Sequence, residues 1–248
     1  MTLNSKLITN YNPIIFALDV PDIEIATYYI DLLKDHVGMF KVGTELFVKA
    51  GPRIIDEIRK RCDHKIFLDL KIYDVPTTIE RTVRNISALD VYMTSVCAKN
   101  HDHIKAAHEG STGGVNVLII ASFTNELIPM GYLKIAKIAN DEACFGVVCS
   151  GLEVFHIKQA FSGLLAVVPG IRQAKEGDMP NIREGFEDSM IQKNVRLNNK
   201  DHKRVVTPEE AIYYGADYMV IGRPIRDAED PVAAVYSILE NIKGDGDI

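Results

Sequence analysis

The sequence lacks several features that mark whole classes of protein. It has no tryptophan, and none of its apolar runs approaches the roughly 18 residues that a membrane-spanning helix needs. The first 13 residues contain no apolar segment of the kind found in signal peptides. The net charge of -6 argues against a protein that binds nucleic acid through a basic face. We therefore expect a cytoplasmic protein with neither a membrane nor a nucleic acid as partner.

Cysteine is also scarce. Cys62, Cys97, Cys144 and Cys149 form no Cys-x-x-Cys pair and no zinc-finger spacing. Cys97 and Cys149 lie in apolar stretches, which predicts buried thiols in a reducing compartment rather than disulfides.

Signatures of common cofactors are missing as well. No Gly-x-Gly-x-x-Gly follows the first strand-like run, so nothing indicates a dinucleotide cofactor. The glycine-rich segment 110–114 lacks the Lys-Ser/Thr of a P-loop and precedes a strand instead of following one. His101, His103 and His108 lack the further ligands that a closed metal site needs, so a helix start is the simpler interpretation. We expect neither a cofactor nor a metal.

Short runs of β-branched and apolar residues do recur, and helix-like segments lie between them. The eight predicted strands are Ile14–Leu18, Met39–Val42, Lys65–Leu70, Val91–Val96, Val115–Ala121, Phe145–Cys149, Leu165–Val168 and Tyr218–Ile221. Strands that alternate with helices predict βαβ units and a parallel sheet. Eight of them in about 230 residues match an α/β fold of the (β/α)₈ TIM-barrel type. We expect residues 1–248 to form this barrel as a single domain.

The connection between the seventh and eighth predicted strands is about twice as long as the others. The excess, residues 171–203, is rich in Gly, Asp, Asn and charge and has poor hydrophobic periodicity. Long connections in compact domains are uncommon and often act as lids. We predict a mobile loop that closes over a bound phosphate, and a long insertion without function is the alternative.

Charged residues collect where the first three predicted strands end. Asp19 follows the first strand, Lys41 lies in the second, Asp69 and Lys71 end the third, and Asp74 lies just beyond. Reactive groups of parallel barrels lie at these carboxyl ends. Because the side-chain period of a strand is two, Asp69 and Lys71 should point to the same side. Carboxylates beside an ammonium suit a reaction that develops negative charge on carbon next to a proton donor. Structural ion pairs at the rim are the alternative.

The last two strands are followed by residues suited to binding an anion. Pro169-Gly170-Ile171-Arg172 ends the seventh strand and Gly222-Arg223 ends the eighth. Glycine lets backbone N–H groups approach an oxyanion, and arginine offers a bidentate fork. Loops at these two positions often bind phosphate in such barrels, so we predict a phosphate site here.

The segment from Asp69 to Thr78 resembles the Asp-x-Lys-x-x-Asp-Ile-Pro-x-Thr signature of the orotidine 5′-phosphate decarboxylase family, with Val75 in place of Ile. Further matches occur in family order from about Ile14 to about Ile242, among them Ala17-Leu18-Asp19, Lys41-Val42-Gly43, Val147-Val148-Cys149-Ser150, Thr207-Pro208-Glu209-Glu210-Ala211 and the run 215–224. The resemblance implies a barrel enzyme of pyrimidine biosynthesis that converts orotidine 5′-monophosphate to uridine 5′-monophosphate without a cofactor.

The resemblance also implies roles for residues in this chain. Lys71 would donate the proton to C6 of the pyrimidine after CO₂ leaves, and Asp69 would lie beside the departing carboxylate. Lys41 and Asp19 would bind ribose hydroxyls and complete the charge array.

Other implied contacts extend to the base, the phosphate and a second subunit. Asp74 and Thr78 would reach the site of the partner, which implies a homodimer with shared active sites. Thr124 would meet the pyrimidine ring. The phosphate would be bound by Pro169, Arg172, Gly222 and Arg223.

Two positions depart from the family pattern. His202 stands where the family commonly has a Gln that contacts base and phosphate, and a neutral His could donate one similar hydrogen bond. The fourth strand, Val91–Val96, lacks a His that relatives usually carry, and we expect little effect on the chemistry.

Two other functions remain as alternatives. One is a magnesium-dependent sugar-phosphate decarboxylase or aldolase of the same superfamily, and the other is a non-catalytic nucleotide-binding protein.

Overall fold

Eight parallel strands form a closed barrel in the computed structural model, which describes residues 11–123, 131–172 and 205–244. Each strand pairs with the next, and β8 pairs with β1. The strands are β1 Ile14–Ala17, β2 Met39–Gly43, β3 Lys65–Ile72, β4 Met93–Cys97, β5 Asn116–Ile120, β6 Gly146–Val148, β7 Leu165–Val168 and β8 Tyr218–Ile221. This confirms the predicted TIM-barrel fold, and every predicted strand lies within two residues of its expected ends.

Helices connect the strands and cover the outside of the barrel. They are α1 Ile23–Leu33, α2 Thr44–Ala50, α3 Arg53–Arg59, α4 Pro76–Ser87, α5 His101–Gly110, α6 Tyr132–Asp141, α7 Val154–Ala160, α8 Pro208–Tyr213, α9 Arg223–Arg226 and α10 Pro231–Gly244. Ile79, Val83 and Ile86, spaced at helical intervals along α4, form the buried face of that helix. Across the described ranges, no helix has both the length and the apolar character needed to cross a membrane.

The first turns of α8 and α10 are capped by the residues that precede these helices. Thr207 accepts a hydrogen bond from the backbone N–H of Glu210, and the Glu210 side chain accepts one from the N–H of Thr207. Asp230 accepts from Val232 and Ala233 at the start of α10. Each cap satisfies N–H groups that have no partner within the helix, which fixes where α8 and α10 begin.

The interior of the barrel is apolar toward the amino ends of the strands. One cluster of buried side chains fills it, consisting of Ile15, Met39, Phe67, Met93, Leu118, Val167 and Tyr218. The residues between them, such as Phe16, Phe40 and Leu68, belong to the larger core between barrel and helices. This alternation is the period-two pattern expected of strands with one face inward.

Two residues beyond that cluster, the inward positions on β2, β3 and β4 are polar. Ala17 pairs in register with Lys41 and Gly43 with Asp69, which places the ends of β1, β2 and β3 side by side at the carboxyl-terminal mouth. The parallel strand order therefore brings together residues that are about 50 positions apart in sequence.

Candidate active site

Four charged side chains form a continuous network at the mouth of the barrel. Lys41 Nζ lies 2.9 Å from Asp19 Oδ1 and 3.7 Å from Asp69 Oδ2. Lys71 Nζ lies 2.5 Å from the same Asp69 oxygen. Signs alternate along the network, as the sequence predicted for these four residues. It combines buried and open parts, because the side chains of Lys41 and Asp69 are 8% and 10% exposed while that of Lys71 is 46% exposed.

The Asp19–Lys41 ion pair lies close to the backbone of Gly43. A Cβ atom on Gly43 would lie 3.1 Å from both Asp19 Oδ1 and Lys41 Nζ, so any other residue there would crowd the pair. The backbone carbonyl of Asp19 accepts a hydrogen bond of 2.7 Å from Arg226 on α9. Asp19 is thus held through its backbone as well as through its carboxylate.

Lys71 reaches Asp69 by a route that differs from simple strand alternation. Leu68 pairs with Thr94 and Ile72 with Val96, so four residues of β3 pass only two of β4. Within this bulge, Lys71 has a φ of 52°, in the left-handed region that side-chain-bearing residues rarely adopt. A non-glycine residue held there costs about 1–2 kcal/mol, and such outliers concentrate at functional sites. The predicted contact is confirmed, but the bulge is part of how it arises.

Ser95 on β4 joins the network, although the sequence analysis did not single it out. Its Oγ donates a hydrogen bond of 2.6 Å to Asp69 Oδ1 and accepts one of 3.0 Å from the backbone N–H of Lys71. Ser95 is fully buried. The available signal was its register, because Ser95 lies two residues beyond inward-facing Met93, as Asp69 does beyond Phe67.

Asp69 is held in its ionised form. Burial by itself would raise the pKa of this carboxyl, but the ammonium groups of Lys41 and Lys71 and the hydrogen bonds from Lys71 and Ser95 outweigh it, so the pKa lies below its ordinary value. A buried carboxylate with both oxygens engaged in this way can stay charged at neutral pH.

Asp74 and Thr78 take no part in the ion pairs of this network in the described part of the chain. Both are exposed, and Asp74 Oδ1 accepts a hydrogen bond of 2.7 Å from the backbone N–H of Val75. Among the described residues, no ion pair within 4.0 Å joins Asp74 to Lys71. One subunit therefore brings only Asp69 of the two predicted acids to Lys71.

The predicted phosphate residues lie on two neighbouring loops. Pro169 and Arg172 follow β7, Gly222 and Arg223 follow β8, and these two strands are paired. Gly170 between the first two has a φ of 80°, which favours glycine at this turn. Arg172 is tied to the barrel because its backbone N–H donates to Val206 and its guanidinium donates to the Ile171 carbonyl.

Three predictions concern residues outside the described ranges. Thr124 and His202 lie there, and so do positions 173–203 of the predicted loop. Their roles, and the closing of the loop over phosphate, stay predictions.

The structure confirms the predicted burial of one cysteine and corrects that of another. Cys149 is fully buried as predicted, but Cys97 is only half-buried, because it ends β4 near the mouth. Burial raises the pKa of the Cys97 thiol to about 11, with Lys71 opposing and Asp69 adding to the shift, so the thiol is protonated at neutral pH.

The histidines near the start of α5 have partners other than a metal. His101 pairs with Glu142 at 2.6 Å, and His103 packs its ring against Tyr73. Across the described residues, no three His, Cys, Asp or Glu side chains are grouped as a metal site requires.

Comparison with known proteins agrees with this geometry. The model of the orotidine 5′-phosphate decarboxylase / HUMPS family matches residues 12–238. The chain belongs to this family. Orotidine 5′-phosphate decarboxylase of Desulfosudis oleivorans is 40% identical over 261 residues, covering 98% of this chain and 96% of the relative. The enzyme of the same name from Wolbachia pipientis is 36% identical and covers 93% of this chain and 99% of the relative.

Solved structures support the same assignment. The crystal structure of orotidine 5′-phosphate decarboxylase from Lactobacillus acidophilus superimposes with a TM-score of 0.72 at 29% identity, covering 94% of this chain and 99% of that one. The similarity therefore extends over nearly the whole fold, and the family match over residues 12–238 includes the ends of β1, β2 and β3 that carry the charge network.

Proposed function

We propose that this protein is an orotidine 5′-phosphate decarboxylase that converts orotidine 5′-monophosphate to uridine 5′-monophosphate in pyrimidine biosynthesis. The observation that carries the proposal is the alternating network of Asp19, Lys41, Asp69 and Lys71 at the barrel mouth. The family and the near full-length similarity to enzymes of this name support the same conclusion.

The chemical difficulty lies in the electron pair that CO₂ leaves behind on C6. It occupies an sp² orbital in the plane of the ring, so the ring cannot delocalise it. The Lys71 ammonium, 2.5 Å from Asp69 and close to half exposed, can stabilise this charge and then donate a proton to C6. The bond from C6 to the carboxyl carbon breaks, a C6–H bond forms, and Lys71 regains its proton from solvent.

Asp69 acts on the substrate carboxylate before CO₂ leaves. Because its pKa is lowered by the surrounding ammonium groups against the opposing effect of burial, Asp69 is negative when the substrate carboxylate arrives. Two like charges in one place disfavour the bound substrate relative to the state in which CO₂ has left. Asp69 also holds Lys71 in the position from which it donates its proton.

The remaining predicted contacts hold the nucleotide. Lys41 and Asp19, joined at 2.9 Å, would bind ribose hydroxyls. The phosphate would lie far from C6 on Pro169, Arg172, Gly222 and Arg223. Binding energy at the phosphate can position the base and exclude water even though it touches no reacting atom. Thr124 and His202 would complete the contacts to the base.

A direct assay tests the proposal. Purified protein is mixed with orotidine 5′-monophosphate and the fall in ultraviolet absorbance is followed, with and without EDTA and with and without added Mg²⁺. We expect turnover that is insensitive to the chelator. Turnover that needs Mg²⁺ would contradict the cofactor-free mechanism, and binding without turnover would favour a nucleotide-binding protein.

The matched control for this assay is Lys71→Ala purified in the same way. It removes the proposed proton donor and leaves Asp69 bound to Lys41 and Ser95. Activity that is equal in the two preparations would come from a contaminating host enzyme and would count against the proposal.

We also infer a homodimer in which Asp74 and Thr78 complete the site of the partner. Within one chain both residues are exposed, and the Asp74 carboxylate accepts a hydrogen bond from the backbone N–H of Val75. Two large apolar side chains flank Asp74, with Tyr73 53% and Val75 61% exposed. A second subunit that covers this surface would remove both apolar side chains from water.

Mixing two inactive variants tests the shared site. Lys71→Ala and Asp74→Ala subunits are unfolded together, refolded at equal concentrations and assayed. If sites are shared, half of the dimers are mixed and each has one intact site, so about a quarter of wild-type activity should return. Asp74→Ala mixed with the double variant is the control, because none of its dimers has an intact site. Recovery that is absent despite confirmed mixing would contradict the shared site.

We place the enzyme in the cytoplasm. All four cysteines lie in described ranges and no disulfide joins them there, which fits a reducing compartment.

A further inference from the structure

We propose that Ser95 is a positioning residue for the decarboxylation, because one hydroxyl holds both the Asp69 carboxylate and the backbone of Lys71 in their working geometry. This inference rests on the proposed function. Ser95 contacts Asp69 and Lys71, the two residues expected to meet the reacting part of the substrate, and it acts through them.

Because Ser95 binds one oxygen of the Asp69 carboxylate, the two oxygens of that carboxylate have different partners. The Ser95 hydroxyl donates to Oδ1 at 2.6 Å, which leaves Oδ2 to face Lys71 at 2.5 Å and Lys41 at 3.7 Å. Without this bond, the carboxylate could rotate about its terminal torsion and share both oxygens with the two ammonium groups. Ser95 therefore sets the orientation of the acid as well as satisfying it.

The same oxygen holds the unusual backbone of Lys71. Ser95 Oγ accepts the backbone N–H of Lys71 at 3.0 Å, inside the bulge where β3 and β4 lose their regular register. The left-handed φ of 52° at Lys71 is unfavourable for a lysine and persists only where neighbouring contacts impose it. The bond from Ser95 to the backbone N–H of Lys71 is one such contact.

Few side chains can do both tasks from this buried position. A hydroxyl has one donor hydrogen and two acceptor lone pairs, so it can donate to a carboxylate and accept from an amide at once. Alanine can do neither, and a cysteine thiol is only a weak donor and acceptor. Ser95 is fully buried, so water has no direct route to take its place.

The test compares Ser95→Ala with wild type in steady-state decarboxylation and in binding of uridine 5′-monophosphate. Because a hydrogen bond to a charged group is lost, we expect kcat to fall about 10- to 100-fold. KM and the Kd of the nucleotide should change by less than about 3-fold, since ribose and phosphate contacts are untouched. Ser95→Thr, which keeps the hydroxyl, should retain kcat to within about 3-fold of wild type.

A neighbouring residue provides the control for loss of a buried hydroxyl. Thr94 is also fully buried on β4, but its Oγ1 donates to the Leu68 carbonyl on the opposite face, away from the charge network. Thr94→Val should keep kcat while losing some stability. If Ser95→Ala does not fold, Ser95→Cys has nearly the same shape and is expected to show the same loss of kcat.

A second readout follows the Lys71 backbone directly. In Ser95→Ala, the amide hydrogen of Lys71 loses its acceptor and should exchange at least about 10-fold faster with solvent. Unchanged kcat in Ser95→Ala, an equal loss in Thr94→Val, or a Ser95→Thr enzyme as slow as Ser95→Ala would each overturn the inference. A wild-type protein without decarboxylase activity would instead overturn the proposed function.

Discussion

The two ends of the barrel interior are built from the same strands and do different work. Toward the amino ends, the inward side chains are apolar and fully packed. Two residues further along four neighbouring strands, the inward positions are Ala17, Lys41, Asp69 and Ser95. Because the strand period is two, both sets of side chains point toward the barrel axis. A residue's position along its strand therefore decides whether its side chain packs in the apolar layer or lies at the mouth with the charged groups.

This contrast explains how a costly arrangement of charges is held in place. Burying Lys41 and Asp69 removes them from water, which is unfavourable unless the charges are paired. The apolar layer beneath supplies the packing energy and a rigid base, and the network supplies the pairing. Substitutions at the two ends should therefore have opposite profiles, with activity lost at the mouth and stability lost in the layer.

The largest effect is expected from Lys71→Ala at the mouth. Loss of an acid catalyst costs about 10²–10⁴-fold and loss of electrostatic stabilisation about 10²–10³-fold, so we expect turnover to fall at least about 10⁴-fold. Because the side chain is 46% exposed, the melting temperature should hardly change. A turnover assay measures the loss of activity, and thermal unfolding measures the change in melting temperature. Near-normal turnover would remove Lys71 from the mechanism.

The apolar layer should respond in the opposite way. Phe67 is 1% exposed, and Phe67→Ala should lower the free energy of unfolding by about 3–5 kcal/mol through lost packing and a cavity. Denaturant unfolding measures this, and Phe67→Leu should lose much less. Turnover per folded molecule should fall far less than in Lys71→Ala. A stable Phe67→Ala protein that is inactive would erase the distinction between the two ends.

The smallest of these effects is a change in acid sensitivity. The folded-state pKa of Asp69 lies below its unfolded value near 3.8, so its stabilising contribution is complete above that value and is lost as pH falls through the folded pKa. As the pH falls below about 4, Asp69→Asn should therefore lose less stability than wild type. Denaturant unfolding from pH 7 to pH 3 measures this.

Asp63, an exposed carboxylate just before β3, provides the control. Asp63→Asn should follow the wild-type pH profile, and an equal change in both variants would show that the effect is not specific to the network.

Much of the fold and part of the site could be predicted from local sequence. Strand runs, their spacing and the charged residues at their ends led to the barrel and to the contacts among Asp19, Lys41, Asp69 and Lys71. Ser95 was missed because a serine in a strand has no chemical signal of its own. Cys97 was placed too deep, because an apolar neighbourhood does not reveal that a residue ends its strand at an open mouth.

The positions of the strands along the chain and the charged residues at their ends could be predicted from the sequence alone, because hydrophobic periodicity and turn chemistry act over a few residues. The tertiary structure decided the bulge in β3, the left-handed backbone of Lys71 and the bonds from Ser95. Those features depend on how β3 and β4 pair, and these two strands are more than 20 residues apart, so no pattern within either strand shows the bulge.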